Sequence, residues 1–140
     1  MSLQFMKSKE RYVARGLERL YPSIAPIKEP EDEFSPFDFE CDLYLIEVKN
    51  RSKVWDPWFI EKVKYDMNME IANNLSKDFI FLTEVKGRIF LYNISKLTRE
   101  GHNFNWRTKL LPKSTEFSKE GNHDRVVSFL YIKDAKQIQL

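Results

Sequence analysis

Phe37-Asp38-Phe39, followed by Leu43-Tyr44-Leu45-Ile46-Glu47-Val48-Lys49, sets two acids and a lysine into a run that otherwise reads as buried β-strand. Side chains alternate faces along a strand, so Glu47 and Lys49 project together while Tyr44, Ile46 and Val48 project the other way. A hairpin over residues 37–49 with a tight turn near Asp42-Leu43 sets Asp38 about opposite Glu47, with Lys49 two residues further along the same face. Two carboxylates then meet one ammonium. Like charges directly across a ladder are destabilising, so the arrangement is kept more readily when a cation sits between the acids. That points to a hard divalent metal held by oxygen ligands, with a lysine beside it.

At Pro36, Asp38, Glu47, Val48 and Lys49 the chain resembles the PD-(D/E)XK nuclease superfamily. That family places an acid in one strand, and an acid, any residue and a lysine in the next, around a magnesium-binding phosphodiesterase centre. Phe37 separates Pro36 from Asp38, a departure from the literal proline-acid pair. The resemblance spans about residues 7–95 as a pattern of elements. It implies an α/β, restriction-endonuclease-like core in the order α-β-β-β-α-β, a mixed sheet flanked by helices, with extra C-terminal strands in about residues 96–140. The implied activity is metal-dependent endonuclease hydrolysis of DNA phosphodiester bonds with Mg²⁺, or Mn²⁺ in its place. Asp38, Glu47 and the backbone carbonyl of Val48 would hold the metal, and Lys49 would orient the attacking water or neutralise the transition state. A first-helix glutamate often serves the family as an auxiliary ligand, which makes Glu18 a candidate; an exposed carboxylate paired with Arg15 or Arg11 is the other reading. Some branches carry a glutamine and a tyrosine four apart on the second helix. Here Glu61 replaces the glutamine and reads as a solvated helix face, while Lys62 and Tyr65 are candidate phosphate contacts.

Glu-x-Lys is a cheap pattern, and a second copy at Glu84-Val85-Lys86 serves as an internal control. It sits against Gly87, between the apolar runs Phe79–Leu82 and Ile89–Ile94, where a hairpin connection with solvated charges is the natural reading. The Glu47 copy instead lies inside a strand and precedes Asn50, Arg51 and Lys53, which add positive charge at the strand's end. Arg51 and Lys53 are therefore candidate nucleic-acid contacts.

Along the chain, Val13, Leu17, Leu20 and Tyr21 have helical spacing and predict a helix over Lys7 to Tyr21, ended by Pro22. Ser23 to Lys28 predicts a short irregular strand at an edge. Asp56-Pro57 predicts the start of a second helix whose apolar face is Ile60, Val63, Met67 and Ile71, ending near Asn73-Asn74. Phe79 to Thr83 reads as a buried strand, and strand, helix, strand implies a crossover to a parallel neighbour. Arg125 to Ile132 reads as a closing strand that extends the sheet or pairs with a second subunit. Trp55, Trp58 and Trp106 are assigned to the core, with base stacking as the alternative.

A chain of 140 residues, 42% hydrophobic and 14% aromatic, fits one domain over residues 1–140 with ample core. Cys41 is the only cysteine, so an intrachain disulfide is excluded, as suits a reducing cytoplasmic compartment. No apolar run approaches membrane-spanning length, and no membrane partner is expected. His102 and His123 lack ligand-spaced neighbours, which disfavours zinc. Four glycines form no phosphate loop, and no serine sits in a nucleophile elbow. The net charge of +2 says little, but basic residues cluster at Lys7, Lys9, Arg11 and Arg15, at Lys49, Arg51 and Lys53, at Lys62 and Lys64, and at Arg107, Lys109 and Lys113. These form a phosphate-tracking surface or scattered solubilising charge. DNA is the expected partner. A homodimer through residues 125–132 and the Trp106 segment is expected as well, because two symmetric cuts need two sites. The competing classes are a catalytically inactive nucleic-acid-binding or assembly domain of the same fold, and a nuclease specific for RNA or branched DNA.

Overall fold

A computed structural model describes residues 3–112 and 122–140, so Lys113 of the last basic cluster lies outside the described residues, as does the side chain of Lys7. The first helix, α1 (Leu3–Leu20), buries Val13, Ala14 and Leu17, a stripe at helical spacing, and stops ahead of Pro22. Gly16 continues this stripe. A Cβ there would stand 2.7 Å from the side chain of Leu140, so the glycine lets the last residue of the chain pack on α1.

The hairpin forms as the alternation requires. β1 (Phe39–Glu40) pairs antiparallel with β2 (Tyr44–Asn50) in the register Phe39↔Ile46, and the Cys41 N–H donates to the Tyr44 carbonyl across a turn that carries Asp42 and Leu43. β4 (Asp78–Val85) then lies parallel to β2, pairing Glu47 with Phe81 and Lys49 with Thr83. β5 (Arg88–Asn93) returns antiparallel through Lys86-Gly87, both at positive φ, so the second Glu-x-Lys copy is a turn. β8 (Lys136–Gln139) closes the far edge, giving a five-stranded mixed sheet in the order β1-β2-β4-β5-β8. Both faces are covered, and β4 accordingly reads as an unbroken apolar run from Phe79 to Leu82. Ile46, Val48, Ile80, Leu82 and Ile138 pack with α1 on one face. Leu45, Phe79, Phe81 and Phe90 pack on the other with Trp58, Ile60 and Leu130.

The chain is thus an α/β protein with a mixed sheet and a second, three-stranded sheet, β3 (Trp58–Glu61), β7 (Asn122–Leu130) and β6 (Arg107–Pro112), in the order β3-β7-β6. Several expectations are corrected by this second sheet. The residues after Asp56-Pro57 are strand β3, and the helix α2 begins five residues later (Lys62–Asn74). Asp56 accepts a hydrogen bond from the Ile132 N–H and caps no helix. Pairing with β7 takes Trp58 to Glu61 out of the helix, and the helix rotates accordingly. Val63 and Met67 are exposed, and the buried positions are Asn68 and Ala72, with Tyr65, Met69 and Ile71 packed beside them. Ser23 to Lys28 makes one antiparallel bridge, Lys28↔Glu40, in place of a strand. β7 pairs with β3 through Val127 to Leu130 and with β6 through Asn122 to Val127, so the closing strand builds the second sheet and does not extend the first. Trp58 is buried, as assigned, but Trp55 is exposed. A short helix, α3 (Ile94–Arg99), follows β5 and is capped by the Asn93 side chain. Among the described residues no helix is long and apolar enough to cross a membrane.

Candidate functional site

The β1–β2 register, continued one residue ahead of the start of β1, places Asp38 next to Glu47. The Asp38 N–H donates to the Ile46 carbonyl (2.9 Å), and the Val48 N–H donates to Asp38 Oδ2 (2.7 Å). The carboxylate therefore takes over the edge of β2 that β1 leaves unpaired. A strand residue directs its N–H and C=O to the same side, so the Val48 carbonyl faces this edge too.

Glu47 is 3% exposed. Its Oε1 lies 3.4 Å from Lys49 Nζ, and its Oε2 is buried with no hydrogen-bond partner among the described residues. An ionised oxygen left this way is costly. Burial pushes the Asp38 and Glu47 carboxyls above the ordinary carboxylate range, and for Glu47 the charge of Asp38 adds to the upward shift. Against burial work the Val48 N–H on Asp38 and the cations Lys49 and Lys64 on both acids. Net of these opposing effects, both acids remain harder to ionise than exposed ones.

The sequence matches no protein-family model and no curated protein. A hard divalent cation asks for oxygen ligands, and a magnesium ion characteristically takes one or two carboxylates and completes its shell with water or substrate phosphate. Among the described residues no group of three or more His, Cys, Asp or Glu side chains forms a metal cluster. The two acids, the orphaned Glu47 Oε2 and the Val48 carbonyl fit the sparser magnesium pattern.

The other candidate residues fall elsewhere. Glu18 stands apart from the pair: its Oε2 accepts the Ile27 N–H (2.7 Å) and its Oε1 meets Arg15 Nε (2.9 Å), while Arg15 also donates to the Ile27 carbonyl. The cause is the alternation along β2. α1 packs on the face of Ile46 and Val48, whereas Glu47 and Lys49 project from the opposite one. Glu18 thus fastens the loop after α1. Lys62 pairs with Asp66 (2.9 Å) and lies over the Trp106 ring. Tyr65 shares a hydrogen bond with Thr98 and packs at a tilt against Phe104 and edge-on against Trp106, two rings stacked on each other. Glu61 is held by Arg125 at 2.8 Å on both oxygens rather than solvated. Arg51 is exposed, and Lys53 sits over the exposed Trp55 ring at 4.7 Å.

Three groups belonging to this face escaped the sequence reading. Lys64 was visible only as part of a basic cluster, and its charge acts on both acids. Asn68, wholly buried on the same helix, donates to the Pro36 carbonyl (3.3 Å) and so positions the segment leading into Asp38. Thr83, paired with Lys49 across β2 and β4, is buried with its hydroxyl unpartnered among the described residues. A fully polar residue amid the apolar stretches of a helix or central strand is the signal that marks the last two.

Proposed function

We propose that this chain is a metal-dependent phosphodiesterase that hydrolyses DNA, with a core of the PD-(D/E)XK type. The observation that carries the reading is the convergence of Asp38 with a nearly fully buried Glu47 whose Oε2 has no partner among the described residues, beside Lys49. The succession of α1, hairpin, α2 and parallel β4 supports the restriction-endonuclease-like reading of the core.

Asp38, Glu47 and the Val48 carbonyl would hold Mg²⁺ or Mn²⁺, which when bound polarises a phosphate and lowers the pKa of a water. Asp38 is kept in place by the Val48 N–H and, through Pro36, by Asn68. Lys49 is 39% exposed at its side chain, so its ammonium reaches solvent from beside Glu47 and meets an incoming phosphodiester. Lys64 favours the ionised form of both acids and so offsets part of the effect of burial.

The test is nicking of plasmid, linear duplex, single-stranded and four-way-junction DNA with Mg²⁺ or Mn²⁺, each with an EDTA control. Cleavage that EDTA stops and that Asp38→Asn, Glu47→Gln and Lys49→Ala each abolish is the expected result. Full activity in a purified Asp38 or Glu47 variant would sink the assignment. Chelator-insensitive binding without cleavage would make the chain a nucleic-acid-binding domain.

A further inference from the structure

Parallel strands β2 and β4 end side by side, and crevices at the carboxyl ends of parallel strands are where α/β sheets take ligands. Here the crevice is a cleft of about 690 Å³ between these strand ends and the N-terminal half of α1. Three separate elements each bring a cation to it: Lys9 from α1, Arg51 from the end of β2 and Lys86 from the β4–β5 turn. Among the described residues the only acid in its wall is Glu84, whose Oε2 already accepts the Gly87 N–H (2.8 Å). The described wall thus carries three basic residues against one acid, a balance suited to an anion.

It also holds an aromatic ring. Tyr12 is 49% exposed and reaches from α1 toward the turn, where its hydroxyl would stand 3.5 Å from a Cβ on Gly87. A basic groove beside an exposed ring is the combination that binds single-stranded nucleic acid, charge tracking the backbone while a base stacks on the aromatic face. The volume is that of a pocket for a small ligand, the scale of one backbone with its bases rather than of two paired strands. The cleft opens on the α1 face of the sheet and the acid pair on the opposite one, with Arg51 at the end of β2, four residues beyond Glu47 or roughly 13 Å along extended chain.

We propose that this cleft holds a single strand of nucleic acid running to or from the Asp38–Glu47 site, with phosphates on Lys9, Arg51 and Lys86 and a base on Tyr12. The inference rests on the phosphodiesterase reading in taking nucleic acid as the ligand. It narrows the substrate to one with an unpaired strand beside the cut: a single strand, an overhang or a branch.

The test is fluorescence anisotropy in EDTA with a labelled oligodeoxythymidine of about 20 nucleotides and a duplex of the same length. The wild type binds the single strand more tightly. Lys9→Ala/Lys86→Ala, with its circular dichroism unchanged, weakens single-strand binding and flattens its salt dependence by about 0.7 per lost phosphate contact in log K against log salt. Tyr12→Ala weakens it about tenfold while Tyr12→Phe binds like the wild type, because stacking needs the ring and not the hydroxyl. Equal losses on single strand and duplex, or no loss in folded cleft variants, overturn the proposal. Glu47→Gln separates it from the reading of the acid pair. If this variant binds like the wild type and the cleft variants do not, the cleft stands even where no cleavage is found; if the wild type cleaves and the cleft variants bind and cleave as it does, the cleft falls and the phosphodiesterase remains.

Discussion

Neutralising both acids at constant shape, Asp38→Asn/Glu47→Gln, separates a metal site from an ordinary ion pair. In the metal-free protein the two carboxyls are buried together, and Lys49 and Lys64 offset only part of the cost of their charge. The double variant should therefore be no less stable than the wild type in EDTA at neutral pH. A divalent ion that binds only the native state adds RT ln(1 + [L]/Kd), about 2.7 kcal/mol at a hundredfold excess over Kd. For a chain of 140 residues the unfolding entropy near the midpoint is about 0.3 kcal/mol/K, so this increment corresponds to a rise in Tm of about 9 °C. Scanning calorimetry with millimolar Mg²⁺ or Mn²⁺ against EDTA measures it. The wild type should show the rise and the double variant none. A wild-type curve unmoved by saturating metal, or an equal rise in the double variant, refutes the metal site; a small loss of stability on neutralising Glu47 with no metal response is the signature of a plain ion pair.

The same pair sets a pH dependence: with folded-state pKa values raised, the native state holds more protons than the unfolded chain, so this contribution is fully present below the ordinary carboxylate pKa and is lost as pH rises through the raised values. Urea midpoints in EDTA, wild type minus double variant, should accordingly fall from about pH 4 upward, and a difference that grows with pH would reverse the sign of the burial effect. Glu18→Ala should destabilise the fold by about 1–3 kcal/mol, since the Ile27 N–H and Arg15 lose a charged acceptor, while the metal-induced rise in Tm persists. Loss of that rise at unchanged stability would instead make Glu18 a ligand. Thr83→Val, which removes an unpartnered buried hydroxyl at nearly constant volume, should leave the metal-free protein as stable or about 1 kcal/mol more so by urea titration. A clear destabilisation would mean that the hydroxyl has a partner in solution.

What the sequence determined by itself is what depends on near neighbours. Strand alternation has a fixed period of two, and a short turn sets register, so the shared face of Glu47 and Lys49 and the approach of Asp38 were legible in residues 37–49. Glycine at positive φ made the Glu84-Val85-Lys86 copy legible as a turn for the same local reason. The start and rotation of α2 were not. Residues 58–61 leave the helix because β7, some seventy residues away, offers them a ladder, and no local pattern records that partner. To the site α2 contributes the charge of Lys64 and the bond from Asn68 to the Pro36 carbonyl. The fate of Glu18 was likewise tertiary: periodicity placed it on a helix, but only the packing of α1 on the Ile46 and Val48 face decided that its carboxylate serves the Ile27 loop. Local geometry wrote the acid pair, and long-range pairing decided which groups surround it.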